Sequence, residues 1–93
     1  MSADSDAMKQ AMISYPAGLP QILKLSDVEF ARELVLLAAA KLYEMGRLSS
    51  GKAARLAGLD RVGFLYELGR LGVPAINLRE EEAEAEILAA RDL

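Results

Sequence analysis

Apolar and polar positions alternate along this chain in a way that predicts three helical stretches between two irregular ends. The clearest helix start is Leu25-Ser26-Asp27-Val28-Glu29-Phe30. Ser26 and Glu29 stand at the spacing of a capping box, and Leu25 and Phe30 at that of a hydrophobic staple. From there to Met45, Phe30, Leu34, Val35, Leu36, Leu37 and Leu42 leave few polar positions between Glu33 and Lys41. A helix apolar over so wide an arc is a core helix that needs cover on more than one side, and a seam with a second copy of the chain would supply it. Gly46 is placed to close this helix.

The stretch from Leu48 to Val73 predicts two further helices joined by a tight turn. Ser49 or Ser50 caps a short helix whose small residues Ala53, Ala54 and Ala57 form its inner side, and Gly58 ends it. Leu59 is expected to point inward, and Asp60 to cap the next helix. In that helix Phe64, Leu65, Leu68 and Leu71 recur at three- and four-residue steps. Gly72 and Pro74 stop it. Small residues at the crossing let two helices approach steeply over a short turn, which is the pattern of a helix-turn-helix. Gly63 and Gly69 lie inside the second helix, each at a cost of about 1 kcal/mol against Ala. Gly69 is expected to admit the long first helix at close range; Gly63 either lets the helix approach DNA or lies on an exposed face.

The ends carry less periodicity. Met1 to Ala11 reads as a polar leader, and Met8 or Met12 would serve equally as a start. Met12 to Leu19 alternates weakly before Pro16, Gly18 and Pro20 interrupt it, which supports an extended arm. Beyond Pro74, Ala75 to Leu78 reads as extended. Glu80 to Leu93 reads as an acidic helix with Asn77 as cap and a thin stripe of Ala83, Ile87, Leu88 and Ala90. The organisation expected is therefore a leader and arm (1–24), an all-α helix-turn-helix domain (25–74) and a tail of extended piece plus acidic helix (75–93). In that tail Ile76, Leu78, Ala83, Ile87 and Leu88 are the candidate partner-binding residues.

Composition narrows the function. The 93 residues contain neither Cys nor His. That removes thiolate nucleophiles, the usual neutral-pH base and the commonest transition-metal ligands, so a non-enzymatic protein without metal or cofactor is expected. The longest apolar run, Leu34 to Ala40, is too short to span a bilayer, and the start lacks the basic and apolar regions of a signal peptide, which points to the cytoplasm. A chain of this size holds only a modest core unaided, so a homodimer is expected.

The net charge of −3 conceals a segregation. Residues 47–72 hold five basic residues (Arg47, Lys52, Arg55, Arg61, Arg70) against two acidic ones, whereas residues 79–93 hold two basic against six acidic. A basic middle and an acidic end suggest two surfaces for two partners. If the motif binds double-stranded DNA, its second helix enters the major groove, with Arg61, Val62 and Tyr66 as base-reading candidates. Arg47, Lys52, Arg55 and Arg70 are the phosphate-binding candidates.

Other motifs fail on their context. Gly46 to Lys52 matches the opening of a phosphate-binding loop, but Ala53 stands where Mg²⁺ binding needs Ser or Thr, and no strand precedes it. Consecutive Glu80, Glu81 and Glu82 point in different directions on a helix. Tyr15, Tyr43 and Tyr66 are too scattered for a single-strand stacking platform.

The run Lys41-Leu42-Tyr43-Glu44-Met45-Gly46-Arg47-Leu48-Ser49-Ser50-Gly51-Lys52-Ala53-Ala54-Arg55-Leu56-Ala57-Gly58, continued by Phe64-Leu65 and Leu71-Gly72-Val73-Pro74, resembles a family of short, uncharacterised prokaryotic proteins regarded as antitoxin-like. With the acidic tail the resemblance spans roughly two-thirds of the chain. It implies a helix-turn-helix protein encoded beside a toxin, often an RNase, which it neutralises while repressing their shared promoter. The chain departs from that pattern at Val62, where an aromatic such as Trp is frequent, and in its longer polar leader. The alternative expectation is a protein-interaction or assembly module that uses the helix-turn-helix only as scaffold, in keeping with the overall acidity.

Overall fold

Each principal helix of this protein begins at a side chain that satisfies its first backbone N–H groups. The computed structural model describes residues 7–75, which form α1 (Leu19–Ile22), α2 (Asp27–Glu44), α3 (Ser50–Leu56) and α4 (Arg61–Leu71), with no strand among the described residues. It is a small all-α architecture. At the head of α2 the Ser26 hydroxyl accepts the Glu29 N–H at 3.1 Å while the Ser26 N–H donates to Glu29 at 2.8 Å, completing the capping box. The Ser26 backbone N–H, and secondarily its hydroxyl, hold the Glu29 carboxyl below its ordinary pKa. A carboxyl depressed in the folded state stabilises above its unfolded pKa, and that contribution is lost as acid protonates it. Ser49, rather than Ser50, caps α3 by accepting the Lys52 N–H at 3.3 Å. Asp60 caps α4, its Oδ1 accepting the Gly63 N–H at 2.6 Å.

The helix ends are as well defined. After α3, Gly58 at φ +72° lets its own N–H reach the Arg55 carbonyl at 3.1 Å and the Leu59 N–H reach the Ala54 carbonyl at 2.9 Å. Those two bonds satisfy carbonyls that the last turn leaves open, and the left-handed backbone they require costs L-residues about 1–2 kcal/mol. Gly46 closes α2 with the same pair of bonds, to Tyr43 and Leu42. At the end of α1 a similar turn is made by Lys24 at φ +59°, an unusual conformation for a residue with a side chain.

Packing follows from side-chain size. α3 lies against both α2 and α4, and its inner residues Ala53 and Ala54 are buried. The core is filled by Leu36, Ala39, Ala40 and Tyr43 of α2 and by Phe64 and Leu68 of α4, with Leu48, Leu65, Leu71 and Val73 around it. Tyr43 and Phe64 meet edge-on, ring centres 6.0 Å apart. Fully burying a side chain such as Phe64 contributes about 1.5–3 kcal/mol, and only alanines on α3 leave the space for it.

Several expectations are corrected. Leu19–Ile22 is a turn of helix rather than part of an extended arm, because Pro20 sits in its first turn, where a missing N–H costs nothing. Residues 7–16 form no strand. Tyr15 instead lays its ring on Phe30 at 4.7 Å, tilted by 56°. Leu59 is exposed rather than inward-pointing. Gly69 faces open space, with nothing within 4 Å of where a Cβ would be, so it does not mediate a close approach to α2. Residues 46–52 run from the end of α2 into the first turn of α3, so the phosphate-loop spacing has no strand before it, as the sequence context indicates. Among the described residues no helix is long and apolar enough to cross a membrane. The expected acidic helix and the partner-binding candidates Ile76, Leu78, Ala83, Ile87 and Leu88 lie outside the described residues.

Candidate nucleic-acid interface

The α3–turn–α4 unit is held from inside, which decides what it presents outside. Residues 57–60 make the turn, closed at one end by Gly58 and opened at the other by the Asp60 cap. With Phe64 and Leu68 anchored in the core, helical spacing carries Val62, Tyr66 and Gly69 along the opposite face. Val62 is 77% exposed and Tyr66 75% exposed. They are four residues apart, one above the other, and no packed core covers them.

The Asp60 cap folds close over Gly63. A Cβ there would come within 2.9 Å of the Asp60 Oδ1 that caps the helix. At Gly63 the carboxylate sits closer than a Cβ would allow without a small shift of Asp60, whereas Glu29 and Lys52 carry side chains at the same position under the Ser26 and Ser49 caps.

The basic candidates fall into two groups. Lys52 and Arg55 are exposed on α3, and Arg47 is exposed in the connection before it. Arg61 and Arg70 are differently placed. Arg61 is half-buried on the inner side of α4, in line with Phe64, Leu65 and Leu68 at three, four and seven residues, with its Nε and Nη2 sealed from solvent. It therefore does not project as a reading edge in the way Val62 and Tyr66 do. Arg70 is engaged by carboxylates: its Nε donates to Glu67 at 2.9 Å and its Nη2 to Glu33 of α2 at 3.4 Å. The hydrogen bond and charge of Glu67, more than those of Glu33, raise its pKa further above the ordinary arginine value. Arg70 thus ties α4 to α2, and a phosphate would have to compete with two carboxylates for it. Glu33 is the residue sequence spacing misses, since it lies 37 positions away from Arg70. The Glu67–Arg70 pair, at i and i+3, was readable.

The three tyrosines occupy separate environments: Tyr43 in the core, Tyr15 on Phe30 and Tyr66 on the outer face. Among the described residues no group of three or more acidic side chains is gathered to hold a metal.

The model of the family described as "Uncharacterised protein family (UPF0175)" matches residues 8–92. A relative from Aeropyrum pernix, carrying the name UPF0175 protein, is 35% identical over 75 residues, which cover 81% of this chain and 83% of the relative. No solved structure matches the chain.

Proposed function

We propose that this chain, which belongs to the UPF0175 family, is a DNA-binding transcriptional regulator of the antitoxin type that acts in the cytoplasm. The observation that carries the reading is the outward pair Val62 and Tyr66 on α4, seated on a buried alanine crossing with Lys52 and Arg55 exposed on the neighbouring helix. A helix so placed enters the major groove, while cations on the helix before it meet phosphates. In this reading the chain pairs with a second copy, for which the exposed Leu37 of α2 and Met45 just after it offer apolar surface. The acidic residues after Pro74 meet a basic toxin such as an RNase, and DNA binding represses the promoter of the pair.

A gel shift on DNA upstream of the chain's own gene, run across a salt series, tests it. Wild type should bind with an affinity that falls steeply as salt rises, and Lys52→Ala should weaken binding and flatten the slope by about one phosphate equivalent. Failure to bind, or binding indifferent to salt, would leave the interaction-module reading, which the half-burial of Arg61 and the pairing of Arg70 favour. Truncation after Pro74 separates the two partners: toxin binding should be lost while the gel shift is retained.

A further inference from the structure

The residues that α4 does and does not leave available constrain what it would read. Direct recognition of guanine uses a bidentate Arg or Lys, of adenine an Asn or Gln, and of cytosine an acceptor such as Asp or Glu; thymine alone offers a methyl group to apolar side chains. At and along α4 the charged hydrogen-bonding candidates are engaged or partly covered, which leaves the exposed Tyr66 hydroxyl as the polar group on the outer face. Asp60 is folded back onto the Gly63 N–H. The Nε and Nη2 of Arg61 are sealed from solvent. Glu67 and Arg70 hold each other, with Glu33 as a third member. Gly63 and Gly69 add no side chain. What remains on the outer face is a valine methyl pair and a tyrosine with its ring and hydroxyl, and Lys52 and Arg55 are exposed on the preceding helix.

We infer that Val62, supported by Tyr66, is a specificity-determining residue that reads the 5-methyl group of thymine in the major groove. The inference rests on the DNA-binding reading above and gives it a base preference. Charge complementarity selects nucleic acid as the occupant of this apolar strip: Lys52 and Arg55 on the preceding helix α3 and Arg47 before it are exposed and supply the positive charge that phosphates attract. The bare backbone at Gly69, one turn beyond Tyr66, meets nothing within 4 Å and leaves the helix free to sit close to the base edges.

The test is a gel shift with the chain's own upstream DNA prepared twice, once with thymidine and once with deoxyuridine in its place, which removes every 5-methyl group and keeps the base pairing. Wild type should bind the thymidine DNA about fourfold more tightly for one buried methyl and more than tenfold for two. Val62→Ala should weaken binding to thymidine DNA and close most of the gap, and Val62→Asn should abolish the preference. Both variants change an exposed position, and circular dichroism matching wild type confirms that they fold. Equal wild-type affinity for the two DNAs overturns methyl reading while leaving DNA binding standing. A retained preference in both variants overturns the assignment to Val62. Binding to neither DNA overturns the regulatory reading together with this one.

Discussion

On α4, Phe64 and Leu68 occupy one face and Val62 and Tyr66 the other: two apolar pairs, each four residues apart, with opposite fates. The first pair is fully buried; the second stands mostly in water. The difference shows that apolar character alone does not place a side chain. Placement is set by what the neighbouring elements offer, and here α3 offers Ala53 and Ala54, whose small volume opens a seat for Phe64. Nothing within the described residues provides such a seat for Val62 and Tyr66. The inner face holds the helix in place, and the outer face is what the helix is free to present.

Cutting each pair back to alanine is the strongest way to break that contrast. Phe64→Ala removes a ring that touches α2 through Tyr43 and leaves a cavity, so it should destabilise by about 3–5 kcal/mol, a large share of the stability of a domain this small. Tyr66→Ala and Val62→Ala should stay within about 0.5 kcal/mol of wild type, as exposed substitutions do. Urea titrations followed by circular dichroism measure all three. A loss for Tyr66→Ala comparable to that for Phe64→Ala would mean the outer face is covered in solution, as by a permanent dimer, and would count against its role as a reading surface.

The glycines sharpen the same contrast at smaller scale. Gly58, in the turn, has φ +72°, so Gly58→Ala should cost about 1–2 kcal/mol even though its Cβ would meet no neighbouring atom. Gly69, on the outer face, sits in ordinary helix with open space where a Cβ would go. Gly69→Ala should therefore stabilise by up to about 1 kcal/mol from helix propensity alone. Paired melting curves of the two variants should move in opposite directions. If Gly69→Ala also lowers DNA affinity while raising stability, the glycine is kept for access rather than for folding.

How far all this was legible in the chain depended on range. The capping box at Ser26 and Glu29, the Asp60 cap, the closing glycines and the inner stripe of α4 are dictated within five residues, and each stands where the pattern put it. The helix at Leu19–Ile22 escapes the pattern because proline reads as a breaker, when at the first turn it is a starter. Local pattern also failed where packing decides. Hydrophobicity alone points Leu59 inward, whereas it lies exposed in the turn after the left-handed Gly58. The half-burial of Arg61 follows from its three-, four- and seven-residue spacing to Phe64, Leu65 and Leu68, whereas the bridge from Arg70 to Glu33 depends on how α4 settles against α2, which no spacing along one helix contains. Of the candidate site, the exposed pair Val62 and Tyr66 and the cations Lys52 and Arg55 were readable from helical periodicity, whereas the tie from Arg70 to Glu33 was not.

The finest test lies at the border between the two faces, where Asp60 and Gly63 act as a unit. Gly63→Ala alone brings two opposed effects: alanine favours helix by about 1 kcal/mol, but its Cβ would stand 2.9 Å from the Asp60 Oδ1 and push the capping carboxylate off the Gly63 N–H. Loss of a cap of this kind costs about 0.5–2 kcal/mol, so the single variant should come out near neutral. Asp60→Ala alone loses the cap outright. In that background the obstruction is gone, and Gly63→Ala should stabilise by nearly its full helix-propensity gain. The signature is therefore the coupling: a double-mutant cycle should show that the two substitutions together cost less than the sum of each alone, by about the worth of the cap. Additive effects would mean that the carboxylate makes room for a side chain without losing its hydrogen bond, and that Gly63 serves the outer surface instead of the cap.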